Sequence, residues 1–94
     1  MRTVEWSDLA ILDLEEIDDY WIDYSEEAAE EVSIKIERAA EFLTTMPGAG
    51  PGVGKRDARK WSVATTRYVI MYRVLPTSIE ILRVAHDSQN WTAF

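Results

Sequence analysis

The chain has 94 residues, too few for two domains that each bury a core, so one domain spanning 1–94 is expected. With 47% hydrophobic and 29% charged residues it is globular rather than disordered. The absence of cysteine excludes a disulfide framework, a thiolate zinc site and a cysteine nucleophile. Ten basic and 17 acidic side chains give a net charge of −7, distributed unevenly. Residues 1–54 carry three basic and fourteen acidic side chains, and residues 55–94 seven and three. Such polarity suggests two surfaces with different partners. Met1 to Trp6 does not read as a signal peptide, and no apolar run approaches the ~18 residues of a membrane span, so a soluble cytoplasmic protein is expected.

Thr3 to Trp6 is apolar at alternate positions (Val4, Trp6) and predicts a short strand. Ser7 is a helix N-cap candidate with Asp8 in the first turn. Ala10, Leu14, Ile17, Trp21 and Tyr24 then form one face of an amphipathic helix over about 8–24, with Asp13, Glu16, Asp19 and Asp23 falling largely on other faces. Ser25, followed by Glu26 and Glu27, caps a second helix whose apolar stripe is Ala29, Val32, Ile36, Ala39, Ala40 and Leu43. It should stop near Thr45, ahead of Pro47, and the short link at Ser25 predicts an antiparallel helical hairpin over about 8–45.

Residues 47–54 carry all four glycines and read as a flexible connection. They lack the Gly-Lys-Ser/Thr ending of a phosphate-cradling loop. Beyond them the pattern turns to period two and β-branched residues. Arg59–Thr65, Arg67–Val74 and Ser78–His86 predict three strands joined by short turns, an antiparallel meander over about 59–86 with a tail at 87–94. The order β-α-α-β-β-β is an α+β fold, a helical hairpin packed on one face of an antiparallel sheet.

Few residues point to chemistry. His86 is the single histidine and a candidate general acid or base. Strict alternation would put it with Glu80, Leu82 and Val84, and Arg83 with Ile79 and Ile81. The basic set is Lys55, Arg56, Arg59, Lys60, Arg67, Arg73 and Arg83, four of them within residues 55–60 beside Trp61. Such a patch can balance acidic helices or contact phosphates and acidic protein surfaces. The overall acidity opposes general nucleic-acid affinity. The helical carboxylates show no Glu-x-x-His or calcium-loop spacing, so no metal or cofactor is expected. Trp21 and Tyr24, closing the first helix, and Trp91 in the tail stand where aromatics serve as interface anchors.

Val4-Glu5-Trp6-Ser7 with Ala10, Asp13-Leu14, Ile17 and Tyr20 resembles the opening of the RelE/ParE toxin superfamily. Met46-Pro47-Gly48, Arg59-Lys60-Trp61, Tyr68 to Val74 and Ile81-Leu82-Arg83-Val84-Ala85-His86 continue the resemblance in order, closer to ParE than to RelE. The resemblance implies a bacterial type II toxin, a helical hairpin on a small antiparallel sheet, DNA gyrase as target and a ParD-like antitoxin as partner. The alternative it carries is a RelE-like, ribosome-dependent messenger-RNA endoribonuclease, with His86, Arg59, Arg73 and Arg83 as its catalytic set. The chain lacks the Arg-rich stretch that often follows this histidine and has no tyrosine after Tyr72, which weakens the nuclease reading. On this basis Trp21, Tyr24, Arg59, Lys60 and Arg83 are antitoxin-binding candidates. Lys55, Arg56, Arg59, Arg73, Arg83, His86 and Trp91 are the candidates for target contact.

Overall fold

A computed structural model describes residues 2–54 and 57–88. Strand β1 (Thr3–Trp6) leads into helices α1 (Asp8–Ile22) and α2 (Glu26–Thr45), followed by β2 (Gly52–Val53), β3 (Ala58–Ser62), β4 (Tyr68–Val74) and β5 (Ser78–His86). Both predicted caps form: Ser7 accepts from the Ala10 N–H at 3.1 Å and Ser25 from the Ala28 N–H at 2.9 Å. Each closes an otherwise unpaired donor in the first helical turn. Ser7 also anchors α1 to the sheet. Its N–H donates to the Ile81 carbonyl (3.0 Å) and its hydroxyl to the Leu82 carbonyl (2.8 Å).

The strands form a five-stranded sheet in the order β1-β5-β4-β3-β2. β1 runs parallel to β5, with Val4 opposite Ile79, and the other neighbours are antiparallel. This confirms the α+β reading and corrects its details: β1 adds in parallel, β3 ends at Ser62 rather than Thr65, and a further strand appears. Gly52 and Val53, read as loop, pair with Arg59 and Ala58 as an added edge strand. A Gly-Val pair between Pro51 and Gly54 carries no strand pattern of its own; β3 supplies the partner.

The hairpin covers one sheet face. Ala10, Ile36, Ala40 and Leu43 from the helices meet Ile70, Tyr72, Ile79, Ile81 and Val84 from β4 and β5 in a single core. Ala10, Ala29 and Ala40 are buried, small enough to let the layers approach closely. At the end of α2 the chain folds back over Tyr72. The buried Tyr72 hydroxyl donates to the Pro47 carbonyl at 2.7 Å and accepts from the Gly50 N–H at 3.0 Å. A Cβ at position 50 would collide with the Lys60 carbonyl, so only glycine fits there.

One irregularity controls where β5 puts its side chains. Tyr72 pairs with Ile81 but Met71 pairs with Arg83, so Leu82 is an extra residue, a β-bulge. The bulge slips the alternation: Ile79, Ile81 and Val84 all belong to the core. Val84 and His86 therefore share the core face, and Arg83 does not join Ile79 and Ile81, contrary to the strict alternation expected from the sequence.

Candidate functional site

Between the outer half of the hairpin and the end of the sheet lies an open groove of about 940 Å³. Ile17, Tyr20 and Trp21 of α1, Ala28 and Val32 of α2 and Tyr68 of β4 give it an apolar and aromatic lining. Trp21 is held firmly. Its indole N–H donates to the Tyr68 hydroxyl at 2.9 Å, and the Tyr68 ring meets His86 edge-on at 5.9 Å. Tyr20, Trp21 and Tyr24 form a further cluster, with centroids 5.4–5.5 Å apart. Tyr20 and Tyr24 are more than half exposed, and their hydroxyls lie 3.3 Å apart. That hydrogen bond raises the pKa of Tyr20.

The bulge on β5 meets α1 at the inner end of the groove. The Asp13 carboxylate accepts from Arg83 Nε (2.8 Å), Arg83 Nη2 (2.9 Å) and the Val84 backbone N–H (2.9 Å). Asp13 is buried and the Arg83 side chain is 31% exposed. The hydrogen bond to Asp13 holds the Arg83 pKa above its ordinary value, against the opposing effect of burial. Position 13 lies off the apolar stripe, and in the sequence it stands out only as part of the Asp13-Leu14 pair of the family resemblance. Nothing else in the helix singles it out, because its partners are 70 and 71 residues away in sequence.

The other predicted residues are dispersed. Arg59 stands opposite Tyr72, which places it on the helix-covered face, and its Nη1 donates to the Gly50 carbonyl at 2.7 Å. Arg73, next to Tyr72 on β4, is on the opposite face and pairs with Glu80 at 2.6 Å. Lys60 stands opposite Met71, on that same far face. His86 pairs in register with Tyr68, five positions along β4 from Arg73, about 17 Å away. Ser88 donates its N–H to His86 Nδ1 at 3.3 Å, with the Ser88 hydroxyl at 2.8 Å. Arg67, in the groove wall, pairs with Asp87 at 2.9 Å. That hydrogen bond lowers the Asp87 pKa and raises that of Arg67.

Of the four residues of the nuclease alternative, Arg83 and His86 both line the groove, while Arg59 and Arg73 stand away from it on opposite faces of the sheet. Of the antitoxin candidates, Trp21 and Arg83 line the groove, and Tyr24 packs on Trp21. Arg59 and Lys60 do not line it. Lys55, Arg56 and Trp91 lie outside the described residues. Among the described residues, no cluster of three or more His, Asp or Glu side chains is arranged to hold a metal ion. None of their helices is long and apolar enough to cross a membrane.

The sequence pattern of the family described as ParE toxin of type II toxin-antitoxin system, parDE, matches residues 4–91. The chain belongs to the ParE toxin family. It is 30% identical over 90 residues to the candidate toxin Y4kP of Sinorhizobium fredii (strain NBRC 101917 / NGR234), covering 96% of this chain and 93% of that protein. Its fold is that of a chain in the chromosomal ParDE toxin–antitoxin system of P. aeruginosa. The TM-score is 0.80 at 24% identity, over 92% of this chain and 96% of the other. The groove, the bulge and the Asp13–Arg83 tie are therefore features of one ParE-family chain.

Proposed function

We propose that this ParE-family toxin inhibits DNA gyrase by binding it, without a catalytic step of its own, and that a ParD-like antitoxin neutralises it in the cytoplasm. Family membership supports the target. The observation that carries the binding reading is the absence of Arg59 and Arg73 from the groove that Arg83 and His86 line. Cleavage of an RNA phosphodiester needs an acid or base and charge-stabilising donors within hydrogen-bond reach of one phosphate. Here the candidate base and Arg73 lie about 17 Å apart along β4, and Arg83 is engaged by Asp13.

The antitoxin segment occupies the groove, with Trp21 and Tyr24 as its aromatic anchors. Trp21 is fixed by Tyr68 and offers a rigid surface at low entropic cost, as interface hot spots do. Lys60 and the Glu80-paired Arg73, on the face away from the helices, and Lys55 and Arg56 in the sequence before β3 are the proposed contacts with the target.

Purified toxin added to gyrase should block supercoiling or trap cleaved DNA, and addition of the neighbouring gene's product should restore activity. No effect at large toxin excess sinks the gyrase reading. Message cleavage on ribosomes that disappears in His86→Ala would replace it with the nuclease alternative.

A further inference from the structure

The groove carries information about the charge of whatever fills it. Its cations are each matched by an acid of this chain: Lys35 by Glu31 at 3.1 Å, Arg67 by Asp87 at 2.9 Å and Arg83 by Asp13 at 2.8 Å. Its helical rim is different. Residues 13–34 contain ten carboxylates and no lysine or arginine. Of these, Asp13 and Glu31 are in ion pairs among the described residues, and Glu16 also lies in the field of Arg83. Glu16 stands in the groove wall itself, and Asp23 and Glu27 flank the hairpin turn beside Tyr24 and Ala28, all three exposed. An apolar floor is thus walled by a hairpin whose carboxylates outnumber the cations that meet them. Like charge placed against it would be repelled, and a phosphate polymer or a second copy of this acidic hairpin is disfavoured for the same reason.

Building on the antitoxin reading above, we infer that the segment seated in this groove is an amphipathic stretch with apolar anchors on one side and a net excess of lysine and arginine on the other. Its apolar side chains pack on Ile17, Trp21, Val32 and Tyr68. Its cations lie over Glu16, Asp23 and Glu27. This reverses the charge assignment suggested by the sequence, in which basic toxin residues met the antitoxin. Arg83 is already taken by Asp13, and Arg59 and Lys60 stand elsewhere.

The test uses the full toxin and the intact product of the neighbouring gene. Affinity is measured at low salt (about 50 mM) and near 500 mM, where the Debye length is only about 4–5 Å. The inference expects wild-type affinity to fall with salt. It also expects Glu16→Gln/Asp23→Asn/Glu27→Gln to bind about tenfold more weakly at low salt, mostly through slower association. The control Glu5→Gln/Glu37→Gln/Glu41→Gln removes as many charges outside the groove and should bind as wild type. Overlapping synthetic peptides of the antitoxin, titrated against the toxin, should give a net-positive tightest binder. A tight complex that ignores salt and the triple variant, or a net-negative tightest peptide, overturns the inference and leaves the antitoxin reading standing. No complex at either salt concentration overturns both, and a toxin that only self-associates through the groove does the same.

Discussion

Replacing Asp13 by alanine tests whether one carboxylate ties the hairpin to the bulged strand. The substitution removes three acceptor contacts, two to Arg83 and one to the Val84 N–H. Charge-assisted hydrogen bonds are each worth roughly 1.5–3 kcal/mol net, but these three do not add. Arg83, with a 31% exposed side chain, turns partly back to water and recovers much of its share. The Val84 N–H is buried against α1 and has no such recourse, which alone costs about 1–3 kcal/mol. Removing one partner of a well-buried pair costs about 3–5 kcal/mol, and discounting for the exposure of Arg83 brings the expectation to about 3 kcal/mol. With roughly 0.2 kcal/mol/K of unfolding entropy for a chain of this length, the Tm should fall by about 15 °C.

The assay is urea unfolding followed by tryptophan fluorescence, with the m-value unchanged if only stability moves. Asp13→Asn keeps one oxygen to accept from Val84 and should lose only about half as much. A double-mutant cycle with Arg83→Met should give a coupling of at least about 1 kcal/mol, since the two side chains touch. A loss below about 1 kcal/mol for Asp13→Ala, or additivity in the cycle, would show that water replaces the carboxylate and would refute the tie.

Three further outcomes are expected. Tyr72→Phe keeps the packing but strands the Gly50 N–H and the Pro47 carbonyl; a loss of about 2 kcal/mol in urea titration is expected, and no loss would mean that the loop reorganises freely. Thr65 holds φ at 61°, a conformation costly for a β-branched residue, so Thr65→Asn should raise stability by about 0.5–1 kcal/mol; a decrease would mean that the threonine hydroxyl outweighs the strain. The Arg67 hydrogen bond depresses the Asp87 pKa, so this pair helps the fold above the usual carboxylate range and the help is lost as pH falls through the depressed value. Carboxyl NMR titration should place Asp87 lower in wild type than in Arg67→Ala, and equal midpoints would deny the pairing.

How much was legible beforehand follows the range of each interaction. The helices were readable because caps and apolar stripes are local: Ser7 and Ser25 do in the structure what their positions implied. β5 begins at Ser78 and ends at His86, as its composition indicated. The sheet order was not readable, because the parallel pairing of β1 with β5 joins residues 75 apart, such as Thr3 and Ser78. β2 carries no pattern, only a partner. The bulge was legible in principle. Ile79 and Ile81 step by two and the next core residue, Val84, by three, a slip that an extra residue explains. Trp21 was singled out by position, but its fixation by Tyr68 needed the tertiary fold.

The same distinction decides what the uneven charge means. In the sequence the basic second half looked like the active face and the acidic hairpin like its counterweight. In the folded chain three arginines of the second half are matched by acids: Arg73 by Glu80, Arg67 by Asp87 and Arg83 by Asp13 of α1. The outer hairpin is left in excess: of its ten carboxylates from Asp13 to Glu31, among the described residues Asp13 meets Arg83, Glu31 meets Lys35 and Glu16 lies in the field of Arg83. Much of the excess negative charge therefore sits on the hairpin that walls the groove. A field of that kind acts first on approach, raising the rate at which a cationic segment arrives and slowing an anionic one, while the apolar floor sets how long it stays. Neutralising the rim should consequently slow association, and cutting back an anchor such as Tyr24 should hasten release. Those two signatures can be separated in a single kinetic experiment.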